Sequence, residues 1–195
     1  VFQPTAEESG GHWIARKKFP GKWEMTYPLP HLKELRFHVM TTPGRHLGVF
    51  PEVASHWDFV AGLVQKANLH PERSQRDPVN VLNLFGYTGL ATLAAAAAGA
   101  KVTHVDASKK SVSWARENQE LSGLGDRPIR WIVEDAVKYV EREARRGVKY
   151  DGIILDPPKF GRGPKGEVWE VYKSLPSLLE ACRACLSDSP LFVAV

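Results

Sequence analysis

Cysteine is nearly absent: a chain of 195 residues holds two, Cys182 and Cys185. That leaves no disulfide framework, and a zinc ribbon would need two further ligands, so no metal site is expected. The two thiols lie three apart in a stretch that reads as helix, a poor geometry for a disulfide. They are expected to pack in the interior of a protein kept in a reducing cytoplasm. Long hydrophobic runs are also missing. The longest, around Leu90 to Ala100, is alanine-rich and too short to span a bilayer, so no membrane partner is expected. Nor does a charged segment followed by an apolar one open the sequence as a secretory leader would. Neither sign of charge dominates, since 26 basic against 22 acidic side chains leave a net charge of +4. A surplus this small is compatible with a polyanionic partner without specifying one. The closing stretch LFVAV reads as a strand still running, so C-terminal strands of a longer protein are expected beyond Val195.

From Val79 onward, strand-like and helix-like stretches alternate. Apolar strand-length runs occur at Val79 to Phe85, Lys101 to Asp106, Ile129 to Val133, Tyr150 to Leu155 and Leu191 to Val195. Between them lie helix-forming runs at Leu90 to Ala98, Lys109 to Leu121 and Asp135 to Arg146, and one starting near Pro176. The first three are stopped by Gly99, Gly123 and Gly147, and Ser108 is a good N-cap for the second. This order predicts an α/β fold of the doubly wound, Rossmann-like type, with a mainly parallel sheet. Upstream, Trp23 to Tyr27 and Leu35 to Met40 read as paired strands, and Val53 to Ala67 as an amphipathic helix. Residues 70–78 read as a solvated connector. The expected organisation is therefore a β extension over residues 1–50 and a sheet domain over 51–195.

In open α/β sheets, ligands bind beyond the carboxyl ends of the strands. The first strand ends in Asn83-Leu84-Phe85-Gly86-Tyr87-Thr88-Gly89, where Gly86 and Gly89 allow a tight turn into a helix N-terminus suited to an anion. A dinucleotide fingerprint begun at Gly86 would need glycine at 88, where Thr88 stands, and no Gly-Lys-Ser/Thr follows to make a P-loop. The turn suits a smaller anion such as an amino-acid carboxylate, or forms a tight turn and nothing more. Asp106 ends the second strand, where a carboxylate accepts from ribose hydroxyls. Asp135 ends the third and either accepts from an adenine amino group or caps a helix. The three ends together describe a nucleoside with a charged amino-acid tail. The fourth strand ends in Asp156-Pro157-Pro158-Lys159-Phe160, whose two prolines leave carbonyl oxygens free to face a ligand. Phe160 offers a face for a base, and Lys159, Arg162 and Lys165 offer cations for phosphates.

Taken together, NLFGYTG, Asp106, the EDA triplet and DPPKF resemble class I S-adenosylmethionine-dependent methyltransferases, within them the enzymes of large-subunit ribosomal RNA bases, from about Gly48 to Val195. The resemblance implies that S-adenosylmethionine is the cofactor and RNA the partner. It also implies that Asn83, Phe85, Gly86, Tyr87, Thr88 and Gly89 surround the methionine part. Asp106, Ala107 and Ser108 would hold the ribose and adenine edge, and Asp135 and Ala136 the adenine. The catalytic positions would be Asp156 and Pro157, with Pro158, Lys159, Phe160, Arg162 and Lys165 toward the substrate. GVFPE matches a segment of such enzymes through Gly48, Phe50 and Glu52, although Pro51 and Glu52 depart from its commoner wording. Carbon-5 methylation of cytosine would need a cysteine, and Lys159 stands where many such enzymes carry it. The competing expectations are methylation of a protein or small molecule, an idle RNA-binding module of the same fold, and a nicotinamide-dependent dehydrogenase.

Overall fold

The alternating runs assemble into one parallel sheet in the computed structural model, which describes residues 1–5, 11–18, 20–42, 46–70 and 77–195. Two antiparallel hairpins come first: β1 (Phe2–Pro4) with β2 (Gly11–Trp13), and β3 (Lys22–Tyr27) with β4 (Leu35–Met40). A single 3-10 turn, Pro51–Val53, leads into α1 (Ala54–Asn68). The sheet domain follows as β5 (Asn80–Leu84), α2 (Leu90–Ala97), β6 (Lys101–Asp106), α3 (Lys109–Leu121), β7 (Ile129–Val133), α4 (Ala136–Arg145) and β8 (Gly152–Leu155). Then come β9 (Phe160–Arg162), β10 (Val168–Glu170), α5 (Val171–Cys185) and β11 (Phe192–Ala194). The expected connector over residues 70–78 falls largely outside the described residues. Among them, no helix is long and apolar enough to cross a membrane.

The sheet order is β11-β8-β5-β6-β7, parallel throughout. Two apolar layers cover its faces, as a sheet buried on both sides requires. One contains α1, α2 and the inward residues Leu35, Phe37 and Val39 of β4, so the N-terminal hairpin shares the core of the sheet. The other contains Tyr139 and Val140 of α4 with Leu178, Cys182 and Cys185 of α5. Both cysteines are free and buried, as their surroundings predict.

Three local features differ from the sequence reading, one of them that the last helix, expected to start near Pro176, begins at Val171. The β1–β2 hairpin was not expected, and the loop expected after Pro158 is a second hairpin, β9–β10, antiparallel and continuous with a helix that begins at Val171. Trp169 supplies the reason. It is buried, its ring centroid lies 4.9 Å from that of Phe85, and its Nε1 donates to the Pro158 carbonyl at 2.6 Å. That anchor outweighs the glycine-rich composition, and Pro176 sits inside α5.

Buried polar side chains tie the elements together around the end of β5. Trp114, Asn118 and Ser122 recur every four positions along one face of α3 and its C-terminal cap, so they line up beside β4. Trp114 Nε1 donates to the His38 carbonyl at 3.1 Å, and Asn118 Oδ1 accepts from the His38 amide at 2.9 Å. Ser122 Oγ accepts from the Arg36 amide at 3.0 Å and donates to the Arg36 carbonyl at 2.7 Å. The helix thereby satisfies β4 as a neighbouring strand would. Asn118 also donates Nδ2 to the Thr88 carbonyl at 3.0 Å, which links this edge to the turn after β5. Between α2 and the sheet, Thr92 Oγ1 accepts from Asn83 Nδ2 at 2.9 Å and meets Nδ1 of His104 at 2.9 Å. His104 is fully buried, and burial pushes its pKa down to about 3.

Replacing Asn118 with leucine should leave the His38 amide and the Thr88 carbonyl buried without partners. A loss of about 2 kcal/mol or more is expected in urea unfolding, and a loss well below that would show that water repairs the gap. For His104, the unfolded chain binds the proton more readily than the fold does. Its contribution is therefore complete above about pH 6.5, and is lost as the pH falls from there toward 3, reaching about 2 kcal/mol of loss by pH 5. His104→Asn should remove that slope from unfolding curves recorded at about pH 8 and pH 5, and an unchanged slope would assign it to other groups.

Candidate active site

The chain runs outward from β5 to β6 and β7, then returns to place β8 and β11 on the other side of β5. Ligands bind at such a switch in strand order. A cavity of about 820 Å³ lies there, bordered by the carboxyl ends of β5, β6, β7 and β8 and roofed by the β9–β10 hairpin. Phe85, Pro158 and Trp169 form one apolar wall, and His46, Phe50 and Tyr87 another. The ring centroids of His46 and Phe50 are 5.0 Å apart, and those of Phe50 and Tyr87 5.6 Å. A smaller recess of about 60 Å³ opens beside it, lined by Asn83, Gly86, Thr88, Gly89 and Leu90, and shares Phe50, Phe85, Tyr87 and Asp156 with the main cavity.

The turn between β5 and α2 is tightly wound. Phe85, Tyr87 and Gly89 have φ of 58°, 47° and 89°, so left-handed residues alternate with ordinary ones. Two of the three carry side chains, a strained arrangement that persists where the surroundings enforce it. Here they do. Gly86 lies so close over the imidazole of His104 that a Cβ there would overlap the ring. At Gly89 a Cβ would come within 2.8 Å of the Ala115 Cβ. Thr88 Oγ1 donates to the Gly48 carbonyl at 2.7 Å. Three amides of the turn are already used: Gly86 donates to the Val105 carbonyl, Gly89 to the Gly86 carbonyl, and Tyr87 to Asp106 Oδ2 at 2.9 Å. The donors left for a ligand at this end include the first-turn amides of α2, whose N-cap Gly89 offers no side-chain cap.

Four carboxylates border the cavity, Asp106, Asp135 and Asp156 at strand ends and Glu52 ahead of α1. Asp106 takes the Tyr87 amide on one oxygen and the Ser108 amide on the other at 2.8 Å, so it fastens the loops after β5 and β6 and keeps outward lone pairs. Burial raises its pKa despite those two donors. Asp135 caps α4, accepting from the Lys138 amide at 3.0 Å, and also lines the cavity. Asp156, at the end of β8, is pushed up by desolvation and by the nearby Glu52 carboxylate, against an opposing effect of His56. Tyr87 is raised to about 12 by burial and by Asp106, so its hydroxyl is neutral and hydrogen-bonds Nδ1 of His46 at 3.2 Å.

Of the residues singled out in the sequence, Phe50, Glu52, Phe85, Tyr87, Asp106, Ala107, Ser108, Asp135, Ala136, Asp156, Pro157, Pro158 and Arg162 border the cavity. Asn83, Gly86, Thr88 and Gly89 border the recess. Lys159, Phe160 and Lys165 border neither and stand on the outer side of the hairpin, exposed. His46, Ser111 and Trp169 belong to the cavity and His56 to the recess, and none was expected from the sequence. Only Trp169 carries a visible cue, as an aromatic beside a turn rich in glycine. Cys182 and Cys185 face neither space. Burial pushes both thiols up, Cys182 to about 12, and Cys185 Sγ lies 3.6 Å from the Val140 carbonyl.

Known proteins are similar to this chain. Over 112 residues the chain is 38% identical to a protein of Shewanella frigidimarina named ribosomal RNA large subunit methyltransferase K/L, covering 56% of this chain and 15% of that one. Over 122 residues it is 36% identical to ribosomal RNA large subunit methyltransferase I of Aeromonas salmonicida, covering 62% and 28%. The chain thus spans less than a third of either curated relative. Among solved structures, a SAM dependent methyltransferase from Agrobacterium tumefaciens superposes with a TM-score of 0.86 at 47% identity, over 98% of this chain and 57% of that one. A methyltransferase candidate solved in complex with SAH superposes with a TM-score of 0.70 at 25% identity, over 91% and 42%. The family model described as conserved hypothetical protein 95 matches residues 64–170, which include β5 through β10 and every acid at the strand ends, and the chain belongs to that family.

Proposed function

We propose that the cavity holds S-adenosylmethionine and that the protein transfers its methyl group to a base of ribosomal RNA. One observation carries the reading: across the sheet, Asp156, the N-terminus of α2, Asp106 and Asp135 follow one another around a largely apolar cavity of about 820 Å³ and the recess beside it. That set of groups fits a ligand with a carboxylate at one end, a ribose and an adenine at the other, and a reacting centre between them. The names of the relatives support both the cofactor and the RNA class.

In this reading the recess at Asn83, Phe85, Gly86, Tyr87, Thr88 and Gly89 receives the amino-acid end, whose carboxylate meets the first-turn amides of α2. Phe50 closes it from the N-terminal side, and Glu52 borders the cavity next to it. Asp106 accepts from the ribose hydroxyls, with Ala107 and Ser108 beside the adenine, and Asp135 with Ala136 takes the adenine amino edge. When bound, S-adenosylmethionine supplies an electrophilic methyl group on a sulfonium. The chain's own contribution is alignment and exclusion of water. The Asp156 carboxylate and the Pro157 carbonyl accept hydrogen bonds from the incoming base and orient it, and Trp169 and Phe85 keep that side dry. Pro158, Lys159, Phe160, Arg162 and Lys165 form the RNA side. Residues 1–50 act as a β extension of the domain over 51–195, in a cytoplasmic protein.

Labelled methyl from S-adenosylmethionine should enter ribosomal RNA and be released by ribonuclease. Cofactor binding without incorporation into any RNA would instead identify an idle binding module, and label in protein a different substrate. Asp106→Ala should weaken cofactor binding by about 1.5 kcal/mol or more, read by titration calorimetry. Asp156→Asn should lower turnover while leaving cofactor affinity near that of the wild type. Equal losses of both would remove Asp156 from the methyl end.

A further inference from the structure

The β9–β10 hairpin has two chemically different faces. Its antiparallel register sets Phe160 opposite Glu170, Gly161 opposite Trp169 and Arg162 opposite Val168. Side chains alternate along a strand, so Gly161 and Trp169 share the face that roofs the cavity, and Phe160, Arg162 and Val168 share the other. Trp169 is 4% exposed. On the outer face Phe160 is 58% exposed and Val168 72%, and Tyr172, in the first turn of α5, is 81% exposed. Large apolar side chains grouped in solvent beside a cavity mark a surface that meets a partner.

The charge around them is positive on balance. The acids of the hairpin are taken: Glu167 pairs with Lys138 at 2.5 Å and Glu170 with Lys173 at 2.6 Å. Lys159, Arg162 and Lys165 add positive charge, and Lys159 Nζ lies 5.6 Å from the centroid of the Phe160 ring. Arg162 also reaches the cavity rim. Flat rings interleaved with cations suit a partner that is anionic along its length and offers flat faces of its own. Single-stranded nucleic acid does so, because its unpaired bases stack on aromatic side chains while its phosphates meet lysine and arginine. A duplex keeps those base faces inside its own stack.

Resting on the RNA reading above, we infer that the outer face of the hairpin together with Tyr172 is a stacking platform for single-stranded RNA flanking the base that enters the cavity. The hairpin then separates two sites, cofactor beneath and RNA strand above.

The test uses the intact protein with a fluorescein-labelled single-stranded oligoribonucleotide, the same strand annealed to its complement, and vesicles of anionic lipid. The single strand should bind more tightly than the duplex. Tyr172→Ala and Val168→Ser should each weaken it, Tyr172→Ala by about tenfold, with S-adenosylmethionine affinity unchanged. Tyr172→Phe should restore binding, since it keeps the ring. Equal affinity for strand and duplex, single-strand binding indifferent to both substitutions, or preference for the vesicles would overturn the platform. Methyl incorporation into ribosomal RNA by the wild type, run in parallel, separates the two levels. Incorporation with an indifferent Tyr172→Ala removes the platform alone, whereas no incorporation into any RNA removes the reading beneath it.

Discussion

The helix α3 does for β4 what a neighbouring strand would do, and much of the site's geometry hangs on that substitution. Its side chains at every fourth position meet the amides and carbonyls of Arg36 and His38, and Asn118 spends its remaining donor on the carbonyl of Thr88. One buried amide thereby holds the N-terminal hairpin and the turn after β5 in a fixed relation. Buried polar groups tolerate no vacancy cheaply, so the arrangement is unique where purely apolar packing would allow sliding. It also brings Gly48, Phe50 and His46 to the turn, through the hydrogen bond from Thr88 to Gly48 and the ring contacts of Tyr87. A left-handed Tyr87 is sustained by this enclosure.

Electrostatics follow from the same enclosure. Asp106 sits where burial works against its charge, and two backbone amides offset part of that cost while knitting the loops together. Asp156 is pushed in the same direction with fewer donors to oppose it. The half-buried Asp106 interacts more strongly with polar hydrogens that enter the cavity than the exposed Asp156 does, because less water competes with it. His104 beneath the turn shows the opposite solution: an imidazole kept neutral by burial, packed 4.7 Å from the ring of Trp131 and serving as a floor for Gly86.

The sheet was legible in the sequence because its signals are local. Strand-length apolar runs, Ser108 as an N-cap and glycines at helix ends mark the five strands and three of the helices to within a residue or two. The acids at 106, 135 and 156 were legible for the same reason, since a strand end and the cavity beyond it are reached by neighbouring residues of the chain. What escaped depends on partners far away in sequence. Trp169 turns a glycine-rich stretch into a hairpin only by reaching Phe85 and Pro158. His46 and His56 join the site only because α3 and α1 deliver their segments there. Nor does any local signal announce that the amides of Gly86 and Tyr87 donate to Val105 and Asp106 at the end of the neighbouring strand.

The hairpin over the cavity is one strand-pair thick, and its pleat has an evolutionary consequence. Adjacent residues answer to different demands: Gly161 and Trp169 face the cavity, and Phe160 and Val168 face solvent. Substitutions in step with the pleat can retune one side while sparing the other. Related chains can therefore diverge in what they recognise by changing alternate residues, with the interior lining held constant between them.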